Sequence, residues 1–303
     1  MDLFQSTSSS NPTFARLRDG SDLAQQRAFI NRMYNDQFEP YADKDFSSKF
    51  PLECLSRFWE MYLGCALLNR GFKLVPRKNR PRAGPDFCIE QDGSPLWIEA
   101  VTPDSGTGTD SVLLREGEPP ARFQQVPEDQ IILRFCSAIR DKHCGHLRHL
   151  SDGLVSANDS FLIAINGAGI PMRFWDTAFS DEIPYAIRAV LPLGQYSVTV
   201  DRTTKQVVKA GFEHRTYIVK LSGSPVPTNS FLDCTFSLVS GLLFSNIHPF
   251  FCNNVSLGSL SLLQNYSPLH AVPEGWLGSG VEWRLKRGKD RYVLKARRII
   301  ATA

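Results

Sequence analysis

Apolar positions in the first half of the chain change period from helical to alternating and back. Over residues 51–71, Leu52, Leu55, Trp59, Tyr62, Leu63, Ala66 and Leu67 recur at helical spacing, with Pro51 suited to a first turn and Gly71 to a stop. At about 100° per residue, Glu60 falls on the flank of that stripe, where its carboxylate can lean over the edge of a sheet; Glu53 lies on the same side. Phe72-Lys73-Leu74-Val75 then alternates as a short strand. Residues 84–90 and 95–101 are two further alternating runs about Asp92-Gly93, the pattern of a β-hairpin with a type I′ turn. Counting outward from that turn brings Asp86 opposite Glu99. The same count puts Phe87, Ile89, Leu96, Ile98 and Ala100 on the core face, and Asp86, Cys88, Glu90, Trp97, Glu99 and Val101 on the other.

Downstream, 127–143 reads as a helix with acids in its first turn and basic residues near its end, burying Ile132, Phe135, Cys136 and Ile139. Gln130, Arg134, Ala138 and Lys142 share a second face. The apolar run 161–165 has the length of a buried parallel strand reached by that helical crossover. Between hairpin and helix, 102–127 lacks periodicity and reads as a flap. In the second half, 196–200, 216–219, 236–239 and 260–263 look like strands, 184–191 like a short helix, and 281–285 with 292–294 like a terminal hairpin. Near the start, 21–34 is helix-like, and the Ser-rich residues before about 14 read as a loose terminus. The organisation expected is a flexible 1–14, an α/β core over 15–170 and a β-rich extension over 171–303, packed on the same core or separate from it.

A chain of 303 residues, 42% hydrophobic and 21% charged, has an ordinary globular composition and room for a substantial core. Its net charge of +3 neither requires nor excludes a polyanionic partner. Seven cysteines without paired spacing read as reduced thiols of a cytoplasmic protein. No apolar run reaches membrane-span length, so no membrane partner is expected. Cys144, His146 and His149 invite a zinc reading, but they crowd one helix with no second pair nearby.

Two carboxylates opposite one another on a sheet face repel, and a hard divalent cation would compensate them. Arg77, Lys78, Arg80 and Arg82 crowd the link just before Asp86, as contact with a phosphate backbone would require; a solvated loop would show the same charges. The segment 284–298 carries eight Lys/Arg against one Asp. It reads either as a nucleic-acid contact or as a charge-protected edge.

A helical Glu, a strand opening Pro-Asp and an acid on the next strand, here Glu60, Pro85-Asp86 and Glu99, resemble the core of the PD-(D/E)xK nuclease superfamily. The resemblance covers roughly residues 50–166. It implies a restriction-endonuclease-like mixed sheet flanked by helices. It also implies Asp86 and Glu99 as ligands of Mg²⁺ or Mn²⁺, Glu60 assisting from the helix, and a nucleic-acid substrate, DNA or possibly RNA. The lysine of the family pattern, two residues after the second acid, falls at Val101. Some branches of the superfamily carry it on the following helix, where Lys142 is the candidate, with Arg134 as another cation for the site. Three functions stay open: a metal-dependent phosphodiesterase, an inactive relative that binds nucleic acid or protein, and an interaction protein whose hairpin acids are mere surface.

Overall fold

Alternation in the strands and the parallel crossovers between them leave the central sheet with two buried faces. The computed structural model describes all residues except 7–8, 82, 91–93, 114–125, 172–182, 290 and 300–303. Its elements in chain order are α1 (Pro12–Asp19), α2 (Ala24–Met33), α3 (Phe46–Lys49), α4 (Cys54–Asn69), β1 (Phe87–Ile89), β2 (Leu96–Val101), α5 (Glu128–Ser151), β3 (Ser160–Asn166), α6 (Tyr185–Arg188), β4 (Leu193–Val200), β5 (Val207–His214), β6 (Tyr217–Val219), β7 (Pro225–Pro227), β8 (Gly241–Ser245), β9 (Ser261–Gln264), β10 (Gly280–Arg287) and β11 (Tyr292–Ile299).

Seven strands form one mixed sheet in the order β1-β2-β3-β8-β9-β10-β11, and β4-β5 and β6-β7 form two separate ribbons. β2, β3 and β8 run parallel, so each connection between them must cross a face of the sheet. α5 is the first such crossover. It covers the face that carries Cys88, Trp97, Phe161, Ile163, Leu242 and Leu263. Phe87, Ile89, Leu96, Ile98, Leu162 and Leu243 point the other way, into a core shared with α1, α2 and α4. The hairpin face expected to carry the acids beside Cys88, Trp97 and Val101 is therefore a second core face, roofed by a helix.

α4 forms because its apolar residues serve that first core nearly all round: Phe58, Trp59, Leu63 and Ala66 are all buried. Trp59 Nε1 donates to the Ala164 carbonyl at 3.0 Å, fixing helix to sheet. Gly64 lets α4 approach, since a Cβ there would lie 2.6 Å from the Phe38 ring. The helix ends at Gly71, whose φ of +90° favours glycine. Leu52, expected on the buried stripe, precedes the helix and is 60% exposed.

Several expectations change. Leu3 and Phe4 are buried, with Phe4 stacked on Phe14 at 5.7 Å and edge-on to Phe50 at 5.8 Å, so the first residues are packed and not loose. The strand expected over 72–75 is a single bridge, Leu74 with Ile89. The run 236–239 is not a strand; Asn265 donates to the Phe236 and Val239 carbonyls, both at 2.8 Å, and the strand begins at Gly241. β8 to β11 extend the same sheet as β1 to β3, so much of 171–303 completes the core. Among the described residues, no helix is long and apolar enough to cross a membrane.

Candidate active site

The register pairs Phe87 with Ile98, Cys88 with Trp97 and Ile89 with Leu96. One further step along the same register sets Asp86 across from Glu99, as the alternation of the hairpin predicts; the Asp92-Gly93 turn itself lies outside the described residues. Asp86 sits where the chain enters β1, and its Oδ2 accepts the Ala100 amide at 2.7 Å. The backbone there is clamped by the buried Arg80. Its guanidinium donates to the Pro85 carbonyl at 2.9 Å, to the Asp86 carbonyl, and to the Tyr41 carbonyl at 3.1 Å.

From the other side of this corner comes α5. Phe135, Ile139 and Lys142 are spaced as neighbours on one helical face, so the packing of Phe135 and Ile139 aims Lys142 at the sheet. Its Nζ lies 2.7 Å from Glu99 Oε1. Glu60 reaches the corner from α4, where it is 6% exposed. Arg57 Nη1 holds Glu60 Oε2 at 2.9 Å and turns its other side to Glu53 at 2.8 Å.

Burial dominates the electrostatics. It pushes Asp86 up to about 7, aided by repulsion from Glu99 and opposed by Lys142, the Ala100 amide and Arg80. Burial likewise pushes Glu60 up to about 8; Asp86 adds to the effect, and Arg57 opposes it without prevailing. For Lys142 burial acts downward, but the Glu99, Asp86 and Glu60 carboxylates together raise it, so it stays a cation. The corner brings three carboxylates, Glu60, Asp86 and Glu99, together with three cations, Lys142, Arg57 and Arg80, in surroundings that solvate charge poorly.

Not every candidate joins. Arg134 is spent on Asp104, through the carbonyl at 2.9 Å and the carboxylate at 2.8 Å. It sits two helical turns, about 12 Å of rise, before Lys142. Among the described residues no three His, Cys, Asp or Glu side chains gather as a metal-binding set, and Oε2 of Glu60 is engaged by Arg57. Of the zinc candidates, His146 stacks on Phe161 with ring centres 3.8 Å apart and Cys144 is exposed; the neighbouring His143 lies tilted against Phe236 at 4.2 Å. Of the basic link, Arg77 pairs with Asp43 and Lys78 is exposed; Arg82 lies outside the described residues. The segment after β2, read as a flap, is anchored at Val112, which is buried and whose amide meets the Ser105 carbonyl at 2.8 Å. Its residues 114–125 lie outside the described set.

The sequence reading missed two positioning residues. Arg57 was legible as the partner three residues before Glu60. Arg80 was counted only as loop charge, though its place just before Gly84-Pro85 let it fold back on that turn.

Two carboxylates on one sheet face suit Mg²⁺, which binds through one or two acids and keeps several waters. Asp86, raised toward neutrality by burial and Glu99, has the affinity for positive charge that such a donor pair needs. No family model, curated protein or solved structure matches the chain.

Proposed function

We propose that this protein is a metal-dependent phosphodiesterase acting on nucleic acid, built on a restriction-endonuclease-like core. One observation carries the reading: Asp86 and Glu99 meet across the β1-β2 hairpin with Lys142 Nζ 2.7 Å from Glu99. The order of α4, the Leu74 bridge, β1, β2, the α5 crossover and parallel β3 supports it.

Asp86 and Glu99 would hold Mg²⁺ or Mn²⁺. When bound, the ion would supply Lewis-acid charge and an activated water. Lys142, already an ammonium at this corner, would offset negative charge as it develops on the phosphate. The Ala100 amide and the Arg80 clamp fix the carboxylate and backbone of Asp86, so its geometry is set before substrate arrives. Arg57 orients Glu60, whose proton affinity near neutral pH lets it hold a proton beside Asp86.

A second reading, an inactive relative that binds nucleic acid or protein, is favoured by Val101. It shares the face of Glu99 and packs against the second core, where the family pattern would place a lysine. Incubating the full chain with linear and supercoiled DNA and with RNA, in Mg²⁺ or Mn²⁺, separates the two. Cleavage abolished by Glu99→Ala is the expected result. Absence of cleavage, together with no carboxylate-dependent metal binding by calorimetry, would remove the enzyme reading.

A further inference from the structure

The opposite edge of the sheet carries a second concentration of charge, of one sign. β9 pairs with β10 only over Val281–Trp283, whereas β10 and β11 pair from Gly280 with Ile299 out to Arg287 with Tyr292. From Arg284 outward the two strands therefore have only each other as ladder partners among the described residues. This free stretch, four residues on each strand, projects about 14 Å.

Between 284 and 295 the sequence carries Arg284, Lys286, Arg287, Lys289, Arg291 and Lys295, against one acid, Asp290. Arg284 shares Glu274 with Arg297, at 3.0 and 3.1 Å. Lys286, Arg287, Lys289, Arg291 and Lys295 are exposed and have no ion pair among the described residues. Leu285 and Leu294 pack toward the second core and root the ribbon. Tyr292, 45% exposed, is braced edge-on by Tyr266 at 5.4 Å.

Uncompensated cations on both strands of an edge cost self-repulsion, which a polyanion relieves. We propose that this ribbon is a docking element for duplex DNA, entering a groove and engaging the flanking phosphates without reading sequence. The major groove admits a two-stranded ribbon of this width. A membrane surface fits less well, because it calls for an apolar face beside the cations, and only Tyr292 and Val293 are large exposed apolar side chains here. Ala296 lies five strands from Glu99, about 24 Å away, so the ribbon would hold DNA well away from the acidic corner. The choice of partner rests on the nucleic-acid reading above, but docking does not depend on cleavage.

The test is fluorescence anisotropy with a labelled duplex of about 20 base pairs in EDTA, where cleavage plays no part, between about 50 and 200 mM salt. The full chain is compared with Lys286→Ser/Lys289→Ser/Lys295→Ser, with Lys289→Glu as a single-site variant in case the triple folds poorly, and with Lys209→Ser, an exposed lysine on β5. Each lost phosphate contact should lower the salt slope by about 0.9, so the triple variant should lose up to about 2.7 and bind at least about tenfold more weakly at 100 mM. Lys289→Glu should show the same trend, and Lys209→Ser should bind like wild type. Equal affinity and slope in wild type and ribbon variants would overturn the proposal, as would wild-type binding to phosphatidylserine vesicles but not to duplex. If binding behaves as expected while no cleavage is seen under any metal, only the enzyme reading falls.

Discussion

The two edges of the sheet handle charge in opposite ways. At the β1 edge, Asp86, Glu99, Glu60, Lys142, Arg57 and Arg80 are mixed in sign and largely buried, and every one has a bonded partner at a defined distance. At the β11 edge the charges are predominantly positive, exposed and mostly without an ion pair among the described residues. Buried charge acts through geometry and pKa, since each carboxylate there must be compensated or protonated. Exposed charge acts through number and responds to salt. On the proposed reading, chemistry belongs at the first edge and adhesion at the second.

The contrast breaks first at the carboxylates. Asp86→Ala and Glu99→Ala should each lower metal-dependent cleavage by about a thousandfold or more, while leaving duplex affinity in EDTA within about twofold. If either substitution abolished binding as well, the division between the edges would be lost. Next comes the ammonium. Lys142→Ala should reduce turnover by about a hundredfold with little change in metal affinity, since its place is at the phosphate. Val101 lies on the same face as Glu99, so Val101→Lys in the Lys142→Ala background should recover at least about tenfold. No recovery would mean that position 101 cannot present a cation to this corner.

Arg80 sharpens the comparison on the stability side. It is buried and donates to three carbonyls, of Tyr41, Pro85 and Asp86, a fork that lysine cannot reproduce. Arg80→Lys should cost about 2–3 kcal/mol in urea denaturation and lower turnover along with it. By contrast, the exposed Lys286→Ser should change stability by less than about 0.5 kcal/mol. Equal costs at the two positions would show that Arg80 is not a clamp.

How much of this was legible in the sequence depended on whether the signal was local. The α4 stripe, the hairpin register that opposes Asp86 to Glu99, and the placement of Lys142 on the crossover helix follow from short-range periodicity. What escaped was set by distant partners. Phe236 and Val239 look like strand residues, but Asn265 takes their carbonyls. Leu74 meets β1 only as a single bridge to Ile89. The extension of the sheet through β8 to β11 depends on pairings between strands far apart in sequence, which no local pattern encodes. The burial of Glu60 was under-read because α4 is apolar nearly all round, so its flank is core as well. Arg134 and Lys142 looked equivalent on one helical face, and only Asp104, on the packed loop, separated them.

The smallest effect is also the most diagnostic of buried charge. Burial raises Glu60 to about 8 and Asp86 to about 7 in the folded chain, from 4.5 and 3.8 for free side chains, so between those limits the folded state binds more protons than the unfolded. Stability must then fall as pH rises through that range. Below about 6.5 the buried histidines act in the opposite sense. His146 is held down at about 4 by burial, so acidification favours the unfolded chain there. The carboxylates are unopposed by these histidines only above pH 6.5, where unfolding free energy should drop by about 1–2 kcal/mol on going to pH 8. Glu60→Gln should flatten that drop, whereas Lys286→Ser should leave it unchanged. Mg²⁺ should raise the midpoint more at pH 8 than at pH 6.5, because at the lower pH a proton competes for Asp86. Denaturation curves across this window decide the matter: stability that is level or rising from pH 6.5 to 8 would mean that the carboxylates at the β1 edge are already fully compensated, and that the corner has no call for a cation.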